Sequence, residues 1–318
     1  MVLVLDEKQL RELATIDRDA LEIIEKSFVW KADGKVDMPP IMHMSVPAHN
    51  GDVDIKSAYV EGLDNLTVKL GSGFFDNAAK GLPSSSSTMV VMSTETGFCQ
   101  AVLLENGYLT NLRTGMAGAV AAKYLAAKQV ETVGILGAGA QARFQLECLK
   151  LVRDFSKVAV FSRRRDQSEA YAQEMSEKLG VEVTVADTAE QVVRSCQILV
   201  TTTPSKEAIV EADWLQDGQH ITAMGADLKG KQELAADCLS KATLLSCDSI
   251  GQCLSMGELQ HDMSTALNEK ESRVVELGQI VSGRHSFVRG DKDITICDLT
   301  GMGLQDTAIA SLVMEKKS

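Results

Sequence analysis

The chain has 318 residues, of which 45% are hydrophobic and 24% charged, and its formal net charge is −12. This length is sufficient for two hydrophobic cores, so we predict two domains. The acidic balance argues against nonspecific binding to nucleic acid, which needs basic surfaces that neutralise phosphates. No apolar run is long enough to span a membrane, and the opening residues, which meet an acid at Asp6, lack the basic start of a signal peptide.

The first part of the chain is predicted to form an α+β unit. A helix is expected within residues 5–26, since Leu21, Ile24 and Phe28 recur at helical spacing. Short strands joined by glycine, asparagine and proline turns follow at residues 41–45, 52–60, 66–70, 88–93 and 99–105. Such runs of strands are typical of antiparallel sheets. The serine run Ser84–Ser87 is interpreted as a polar pocket loop, which makes Ser85 a candidate substrate contact.

Two basic residues of this first part are candidates for chemistry. Lys69 alternates with apolar residues in a strand, and a buried ammonium is costly unless it is paired or functional. The alternative is a lysine on the wet face of a half-exposed strand. Arg113 lies near the start of a helix of small residues predicted at 108–125, where its guanidinium is suited either to bind a carboxylate or to form a structural ion pair.

The most specific motif lies at residues 132–142, where a predicted strand runs into a glycine turn and then a helix. Gly137 permits the turn, Gly139 lets the backbone approach a pyrophosphate, and Ala142 lets the helix pack on the strand. The candidate cofactor-binding residues here are Gly137, Ala138, Gly139, Ala140, Gln141 and Ala142. Further predicted elements are helices at 140–152 and 166–179 and strands at 157–161, 181–185, 198–201, 220–224 and 244–247. This alternation predicts an α/β fold with a Rossmann-type doubly wound parallel sheet.

The residues after the second strand of this sheet bear on the choice of dinucleotide. An acid at this position would bind the ribose of NAD, but the chain has Ser162, Arg163, Arg164 and Arg165. Guanidinium groups suit a 2′-phosphate, so NADP(H) is favoured. NAD(H) is the alternative, because Asp166 is close enough in sequence to reach a ribose and the arginines could be a solvated helix start.

Ligands of such sheets bind beyond the carboxyl ends of the strands. Thr202 and Thr203 follow the fourth strand, and Met224 and Gly225 follow the fifth, so all four are candidate cofactor contacts. Asp227 follows after Ala226 and is a candidate cofactor contact as well as a candidate proton donor or acceptor beside the hydride-transfer centre. The alternative for Asp227 is an N-cap of the following helix.

The seven cysteines are scattered, form no C-x-x-C pair, and indicate reduced core thiols in a cytoplasmic protein. The five histidines also lack the spacing of metal ligands, so we predict no metal site. A last strand at 293–297 and a helix from 301 to 313 complete the chain. The predicted domains are residues 1–122 with 292–318, which form the α+β substrate-binding and dimerisation domain, and residues 123–291, which form the dinucleotide-binding domain.

Six segments in this order match a known pattern: Val68–Leu70, Thr94–Gly97, Leu112–Thr114, Gly137–Ala142, Met224–Asp227 and Asp298–Gly301. With them the chain resembles the ornithine cyclodeaminase/μ-crystallin family over nearly its whole length. Four further segments are similar to ectoine-utilisation cyclodeaminase-like proteins and iminosuccinate reductases within that family: Met38–Pro40, Gly73–Asn77, Gly257–His261 and Gly303–Asp306.

The resemblance implies a homodimer with active sites between the two domains and hydride chemistry at a carbon that bears an imino or amino nitrogen. It implies that Lys69 and Arg113 hold the substrate carboxylate, with Lys69 close enough for proton transfer, and that Asp227 handles the nitrogen or water. Thr300 and Gly301 would border the nicotinamide. His43 stands where relatives commonly carry a carboxylate-binding arginine, so its charge depends on pH.

The alternative for His43 is neutral packing between Met42 and Met44. The expected function is an NAD(P)H-dependent reductase of a small imino acid, such as iminosuccinate or a cyclic ketimine. The alternatives are a cyclodeaminase that returns its hydride and a crystallin-like protein that binds a ligand with NADPH.

Overall fold

The structure is a computed structural model that describes residues 2–261 and 274–317. Its strands are β1 (Leu3–Asp6), β2 (Val36–Asp37), β3 (Met42–Val46), β4 (Gly51–Val60), β5 (Asn65–Phe74), β6 (Ser85–Ser93), β7 (Cys99–Leu104), β8 (Thr132–Leu136), β9 (Lys157–Phe161), β10 (Glu182–Val185), β11 (Ile198–Thr201), β12 (His220–Ala223), β13 (Leu244–Cys247), β14 (Val274–Glu276) and β15 (Thr295–Asp298).

Its α-helices are α1 (Glu7–Leu13), α2 (Arg18–Ala32), α3 (Tyr108–Leu125), α4 (Ala140–Leu149), α5 (Arg165–Leu179), α6 (Ala189–Ser195), α7 (Ala236–Lys241), α8 (Ile250–Met256), α9 (Leu277–Val281) and α10 (Gly303–Lys317). Short 3₁₀ helices lie at Pro47–His49, Phe75–Lys80, Ala212–Trp214 and Glu258–His261. None of the helices so described is long and apolar enough to cross a membrane.

The chain divides into two compact units, Met1–Arg113 with Met302–Ser318 and Thr114–Gly301. The first unit contains a seven-stranded sheet in the order β1-β7-β6-β5-β4-β2, with β3 also paired to β4. The pairs from β3 to β7 are antiparallel, as the sequence predicts. Strand β1 pairs in parallel with β7, and the single N-terminal helix expected from the sequence is two helices.

Helix α10 packs against this sheet and is buried along most of its length. Thr307 Oγ1 donates a hydrogen bond of 3.0 Å to the Ala58 carbonyl on β4. A Cβ on Gly303 would lie 2.6 Å from the Ser57 carbonyl oxygen, so only glycine permits this approach. The close packing brings the polar residues at the start of α10 onto the face of β4 and β5.

The serine run differs from its prediction as a loop. Ser85, Ser86 and Ser87 belong to β6 and pair with Gly73, Ser72 and Gly71 of β5. The pattern was misleading because neither partner segment is apolar. Backbone pairing between two neighbouring strands extends the sheet here, with Ser85 and Ser86 exposed and Ser87 buried.

The second unit contains an eight-stranded parallel sheet in the order β10-β9-β8-β11-β12-β15-β13-β14. The chain runs outward from β8 to β10 and then returns to the other side of β8, which is the doubly wound topology. The buried apolar residues of this unit form two separate clusters, one of which contains Leu146 and the other Val193. The predicted Rossmann-type α/β class is therefore confirmed.

Both domain boundaries differ from the predicted ones. Strand β15 lies between β12 and β13 in the parallel sheet and is buried throughout, so the second boundary follows residue 301 instead of residue 291. The first boundary falls inside α3, at residues 113–114. From there α3 packs against α4, where a Cβ on Gly115 would lie 2.7 Å from Cys148 Sγ.

Candidate functional site

The glycine turn after β8 is shaped to hold an anion. Gly137 has a φ of 109°, and a Cβ there would lie 2.5 Å from Thr202 Oγ1. Gly139 is the N-cap of α4, has extended backbone, and has open space where a Cβ would be. It offers no side-chain cap, so the first N–H groups of α4 are left for another acceptor. These features fit the pyrophosphate of a dinucleotide.

Arg143 also shapes this turn, and the sequence did not indicate it. Its Nη1 donates to the carbonyl oxygens of Ala138 and Gly139 at 2.7 and 3.1 Å. Its Nε donates to Glu174 on α5 at 2.7 Å. The guanidinium therefore fixes the carbonyl groups of the turn and places a positive charge beside it. A basic residue one turn into the helix was the available sequence signal.

A cavity opens at the carboxyl ends of β8, β9 and β11. Its lining residues are Leu136, Gly137, Phe161, Ser162, Arg163, Thr203, Ser205 and Ile209. Four predicted cofactor contacts, Gly137, Ser162, Arg163 and Thr203, are thus brought together. This is the edge at which the adenosine half of a dinucleotide binds in doubly wound sheets.

The three arginines after β9 are not equivalent. Arg164 Nη2 lies 2.7 Å from Asp166 Oδ2, and the Arg164 side chain is 66% exposed. Arg165 forms ion pairs with Glu169 and Asp187 at 3.0 and 2.8 Å. Arg163 lines the cavity. Of the three, Arg163 is therefore the one that faces the cavity at the ends of β8, β9 and β11.

Buried carboxylates support the loops at the ends of β11 and β12. Glu233 is fully buried and accepts hydrogen bonds from Thr201 Oγ1 at 2.6 Å, the Thr203 N–H at 2.5 Å and the Gly225 N–H at 2.8 Å. Burial raises the pKa of Glu233, although these donors oppose the shift. Glu258, also fully buried, accepts from the backbone N–H groups of Glu233 and Leu234 at 2.8 and 3.1 Å.

Two further buried acids lie at the ends of β13 and β15. Asp248 accepts from the backbone N–H groups of Thr300 and Gly301 at 3.0 and 2.8 Å, and so fixes the turn predicted to border the nicotinamide. Asp298 accepts from the Leu259 N–H at 3.1 Å. Burial is the largest cause that raises the pKa of Asp298 to about 7. For Glu258, burial and then the charges of Asp298 and Glu233 raise the pKa to about 9.

None of these four acids received a role from the sequence, although Glu258 and Asp298 lie in segments that carry the family resemblance. The signals were weak because each acid lies at the end of a strand or in a turn, where a solvent-exposed acid is equally common. Each acid accepts hydrogen bonds from backbone N–H groups, and most of these donors are supplied by loops that are distant in sequence.

Asp227 follows β12 as predicted, and its side chain is 46% exposed. Its Oδ1 accepts a hydrogen bond of 2.6 Å from Lys231 Nζ. The next helix, α7, begins at Ala236 with Ala235 as its N-cap. The alternative interpretation of Asp227 as a helix cap is therefore wrong.

In the first unit, Lys69 and Arg113 converge on the carboxylate of Asp306, which received no role from the sequence although it lies in the segment Gly303–Asp306. Lys69 Nζ lies 3.0 and 2.9 Å from the two carboxylate oxygens of Asp306 on α10. Arg113 Nε lies 3.0 Å from Asp306 Oδ1, at ion-pair distance but without hydrogen-bond alignment. Arg113 Nη1 donates to Gln305 Oε1 at 3.1 Å. All four residues are buried, so the wet-face alternative for Lys69 is wrong.

Burial dominates the titration of this cluster. It lowers the pKa of Lys69 to about 8, with Asp306 opposing the shift and Arg113 and Lys56 adding to it. Lys56 lies directly opposite Lys69 on β4. Although burial alone would raise the pKa of Asp306, the charges of Lys69 and Arg113 hold it below its ordinary value. A cluster rich in buried cations is suited to bind an anion such as a substrate carboxylate.

Two other predicted substrate contacts, His43 and Ser85, are not among the hydrogen-bonded residues of this cluster. His43 is exposed on β3, and its Nδ1 lies 2.8 Å from Asp54 Oδ1 on the neighbouring strand. Met42 and Met44 are exposed as well, so within a single chain His43 does not pack between them. Ser85 is exposed at the start of β6.

The family model of the ornithine cyclodeaminase/mu-crystallin family matches residues 2–318. The chain belongs to this family. The resemblance of the six segments is therefore confirmed over almost the whole length of the chain.

Three solved structures give the comparison in detail. An archaeal alanine dehydrogenase dimer with bound NAD is 35% identical, with a TM-score of 0.91 over 99% of this chain and 95% of that one. The Δ1-pyrroline-2-carboxylate reductase of Thermococcus litoralis, in complex with NADH and L-proline, is 30% identical, with a TM-score of 0.93 over 99% and 97%. The iminosuccinate reductase of Paracoccus denitrificans, in complex with NAD⁺, is 31% identical, with a TM-score of 0.88 over 99% and 96%.

Proposed function

We propose that this protein is an NAD(P)H-dependent imino-acid reductase. When bound, the nicotinamide supplies the hydride for the carbon that bears the nitrogen, and the reverse reaction is amino-acid dehydrogenation. The observation that carries the proposal is the buried cluster of Lys69, Arg113 and Asp306, which suits an amino- or imino-acid carboxylate. Family membership and the dinucleotide turn after β8 support it.

In this proposal the chain's own residues bind and orient the reactants. Lys69 and Arg113 hold the substrate carboxylate, and Asp306 keeps both side chains in place. Lys69, whose pKa burial lowers to about 8, is suited to exchange a proton near neutral pH. Asp227 handles the substrate nitrogen or water, and its pair with Lys231 keeps the carboxylate oriented.

For the cofactor, Gly137–Ala142 would hold the pyrophosphate, and Thr202, Thr203, Met224 and Gly225 would line its path with Thr300 and Gly301. The three solved relatives were obtained with NAD, NADH or NAD⁺. Arg163 nevertheless favours NADP(H) in this chain, since it lines the cavity while Arg164 and Arg165 are engaged by carboxylates. NAD(H) is the alternative cofactor.

We also propose a cytoplasmic homodimer that associates through the first unit. Several apolar side chains of its sheet region are exposed: Met42 at 58%, Met44 at 45%, Leu70 at 40%, Phe75 at 46% and Leu82 at 55%. An exposed apolar patch of this kind is typical of an interface. Analytical ultracentrifugation tests the dimer, and a Met42→Lys, Met44→Lys double variant should shift it toward monomer.

The decisive experiment follows NADPH and NADH absorbance with three substrate sets. They are 2-oxo acids with ammonia, the same acids with methylamine, and cyclic imines such as Δ1-pyrroline-2-carboxylate. Net cofactor oxidation supports the reductase. Ammonia release from ornithine or 2,4-diaminobutyrate without net cofactor change would instead indicate a cyclodeaminase, and binding without turnover would indicate a ligand-binding protein.

A further inference from the structure

Glu233 joins two loops at the carboxyl edge of the parallel sheet. Its two oxygens accept three hydrogen bonds, from Thr201 and Thr203 at the end of β11 and from Gly225 at the end of β12. A Cβ on Gly225 would lie 2.5 Å from the Glu233 carboxylate carbon, so only glycine permits this contact. Because a buried carboxylate is costly unless its oxygens are satisfied, this arrangement requires all of these donors together.

A second layer of contacts holds Glu233 itself. Glu258 accepts the backbone N–H groups of Glu233 and Leu234, while the Glu233 carbonyl accepts those of Ile209 and Val210 at 2.8 and 3.0 Å. The carboxylate therefore has little freedom to follow a loop that moves. A rigid acceptor of this kind sets the position of the backbone groups that it binds.

The topology indicates which half of a dinucleotide these loops meet. The sheet order is β9-β8-β11-β12, with the anion-binding turn after β8 and Arg163 after β9. An adenosine half on the β9 side of that turn leaves the nicotinamide half on the β11 and β12 side. Glu233 holds the loop after β12 through Gly225 and the loop after β11 through Thr201 and Thr203, of which Thr203 also lines the cavity beside Arg163.

We propose that Glu233 is a positioning residue for the nicotinamide half of the cofactor. It acts through Thr203 and Gly225, whose backbone it fixes, and it does not contact the substrate. This role rests on the proposed function, because it requires that the chain bind a nicotinamide dinucleotide.

The test compares two ligands that share one half. Isothermal titration calorimetry measures binding of NADH and of ADP-ribose, which lacks the nicotinamide, or of NADPH and 2′-phospho-ADP-ribose if the parent prefers NADPH. Glu233→Gln places an N–H₂ group among three donors, so at least one hydrogen bond is lost. We expect the dinucleotide Kd to rise about tenfold or more, and the Kd of the ADP-ribose ligand to rise by about threefold or less, because, of the residues that Glu233 holds, only Thr203 also faces the cavity beside Arg163.

Glu105→Gln is the matched control. Glu105 is also fully buried and accepts three hydrogen bonds, from Ser87 Oγ and from the N–H and Oγ1 of Thr110, but it belongs to the first unit. It should leave both affinities unchanged. Thr201→Val removes one donor and keeps the carboxylate, so it is a milder variant to use should Glu233→Gln fail to fold. It should raise the dinucleotide Kd about threefold and the Kd of the ADP-ribose ligand by less.

Each result decides the matter. Equal weakening of both ligands by Glu233→Gln or Thr201→Val, or no weakening by either, overturns the positioning role and leaves the reductase proposal standing. The same selective loss in Glu105→Gln also overturns it, because the effect would then not depend on where the acid lies. A parent protein that binds neither dinucleotide overturns the proposed function, and the positioning role with it.

Discussion

Replacing Asp306 with asparagine should destabilise the first unit strongly. The carboxylate lies 2.9 Å from Lys69 Nζ and 3.0 Å from Arg113 Nε, and all three side chains are buried. At an effective dielectric constant near 20, each contact corresponds to about 5 kcal/mol of Coulomb attraction, which offsets the cost of burying the charges. Breaking a buried pair by removing one partner costs about 3 to 5 kcal/mol, and we expect a loss of this size near pH 7.

The loss should shrink as the pH rises. Burial depresses the pKa of Lys69 from 10.5 to about 8, so between these values the unfolded chain binds more protons than the folded chain. The stability of the parent protein therefore increases with pH across this window, by about 3 kcal/mol for this group. Near pH 9.5 the folded parent holds Lys69 mostly neutral, so the variant then lacks mainly the contact with Arg113.

Urea unfolding at pH 7 and pH 9.5 measures this difference. The chain has two tryptophans, Trp30 in the first unit and Trp214 in the second. A Trp214→Phe background lets Trp30 fluorescence report on the first unit alone. A loss below about 1 kcal/mol at pH 7, or a loss that does not change with pH, would show that Asp306 does not stabilise the fold through these two ion pairs.

Lys69→Met is the companion variant. It removes the ammonium that burial penalises and leaves Asp306 paired with Arg113, so stability should fall by less than about 2 kcal/mol. Turnover should nevertheless be lost, because the proposed carboxylate contact and proton donor are gone. If Lys69→Met keeps most of its activity, Lys69 serves the fold and not the reaction.

Further predictions concern cofactor choice, the role of Asp227 and the role of His43. Arg163→Ala should weaken NADPH about tenfold more than NADH, whereas Arg164→Ala should change neither affinity in calorimetry, because its guanidinium is already ion-paired. Asp227→Asn should lower kcat by about 10² to 10⁴-fold while Tm stays within a few degrees. Lys231→Met should lower kcat less than Asp227→Asn in the same assay. His43→Arg should leave the pH profile of KM unchanged on its acid side, because a carboxylate already contacts the ring.

These outcomes are informative in both directions. If Arg163→Ala weakens the affinities for NADPH and NADH equally, Arg163 does not bind the 2′-phosphate. An Asp227→Asn protein that unfolds, or that retains full kcat, would give this residue a structural or peripheral role. If His43→Arg flattens the pH dependence of KM at acid pH, His43 contacts the substrate.

Local patterns in the sequence predicted most of the secondary-structure elements and the glycine motif that is typical of the Rossmann-type fold. The strands at 157–161, 198–201 and 244–247 and the helix at 108–125 are predicted with the bounds that the structure has. They are well determined because apolar periodicity and glycine turns act within a few residues. The dinucleotide turn is equally local, since Gly137, Gly139 and α4 are adjacent in sequence.

Which distant residues meet is set by long-range packing and is visible only in the folded protein. Lys69 and Asp306 are separated by 237 positions, and their pairing depends on how closely α10 packs on the sheet. The insertion of β15 between β12 and β13, and the hydrogen bonds that Glu233 receives, depend likewise on neighbours supplied by other segments. A local pattern shows that a charge must be satisfied if it is buried, but the partner that satisfies it is set by long-range packing.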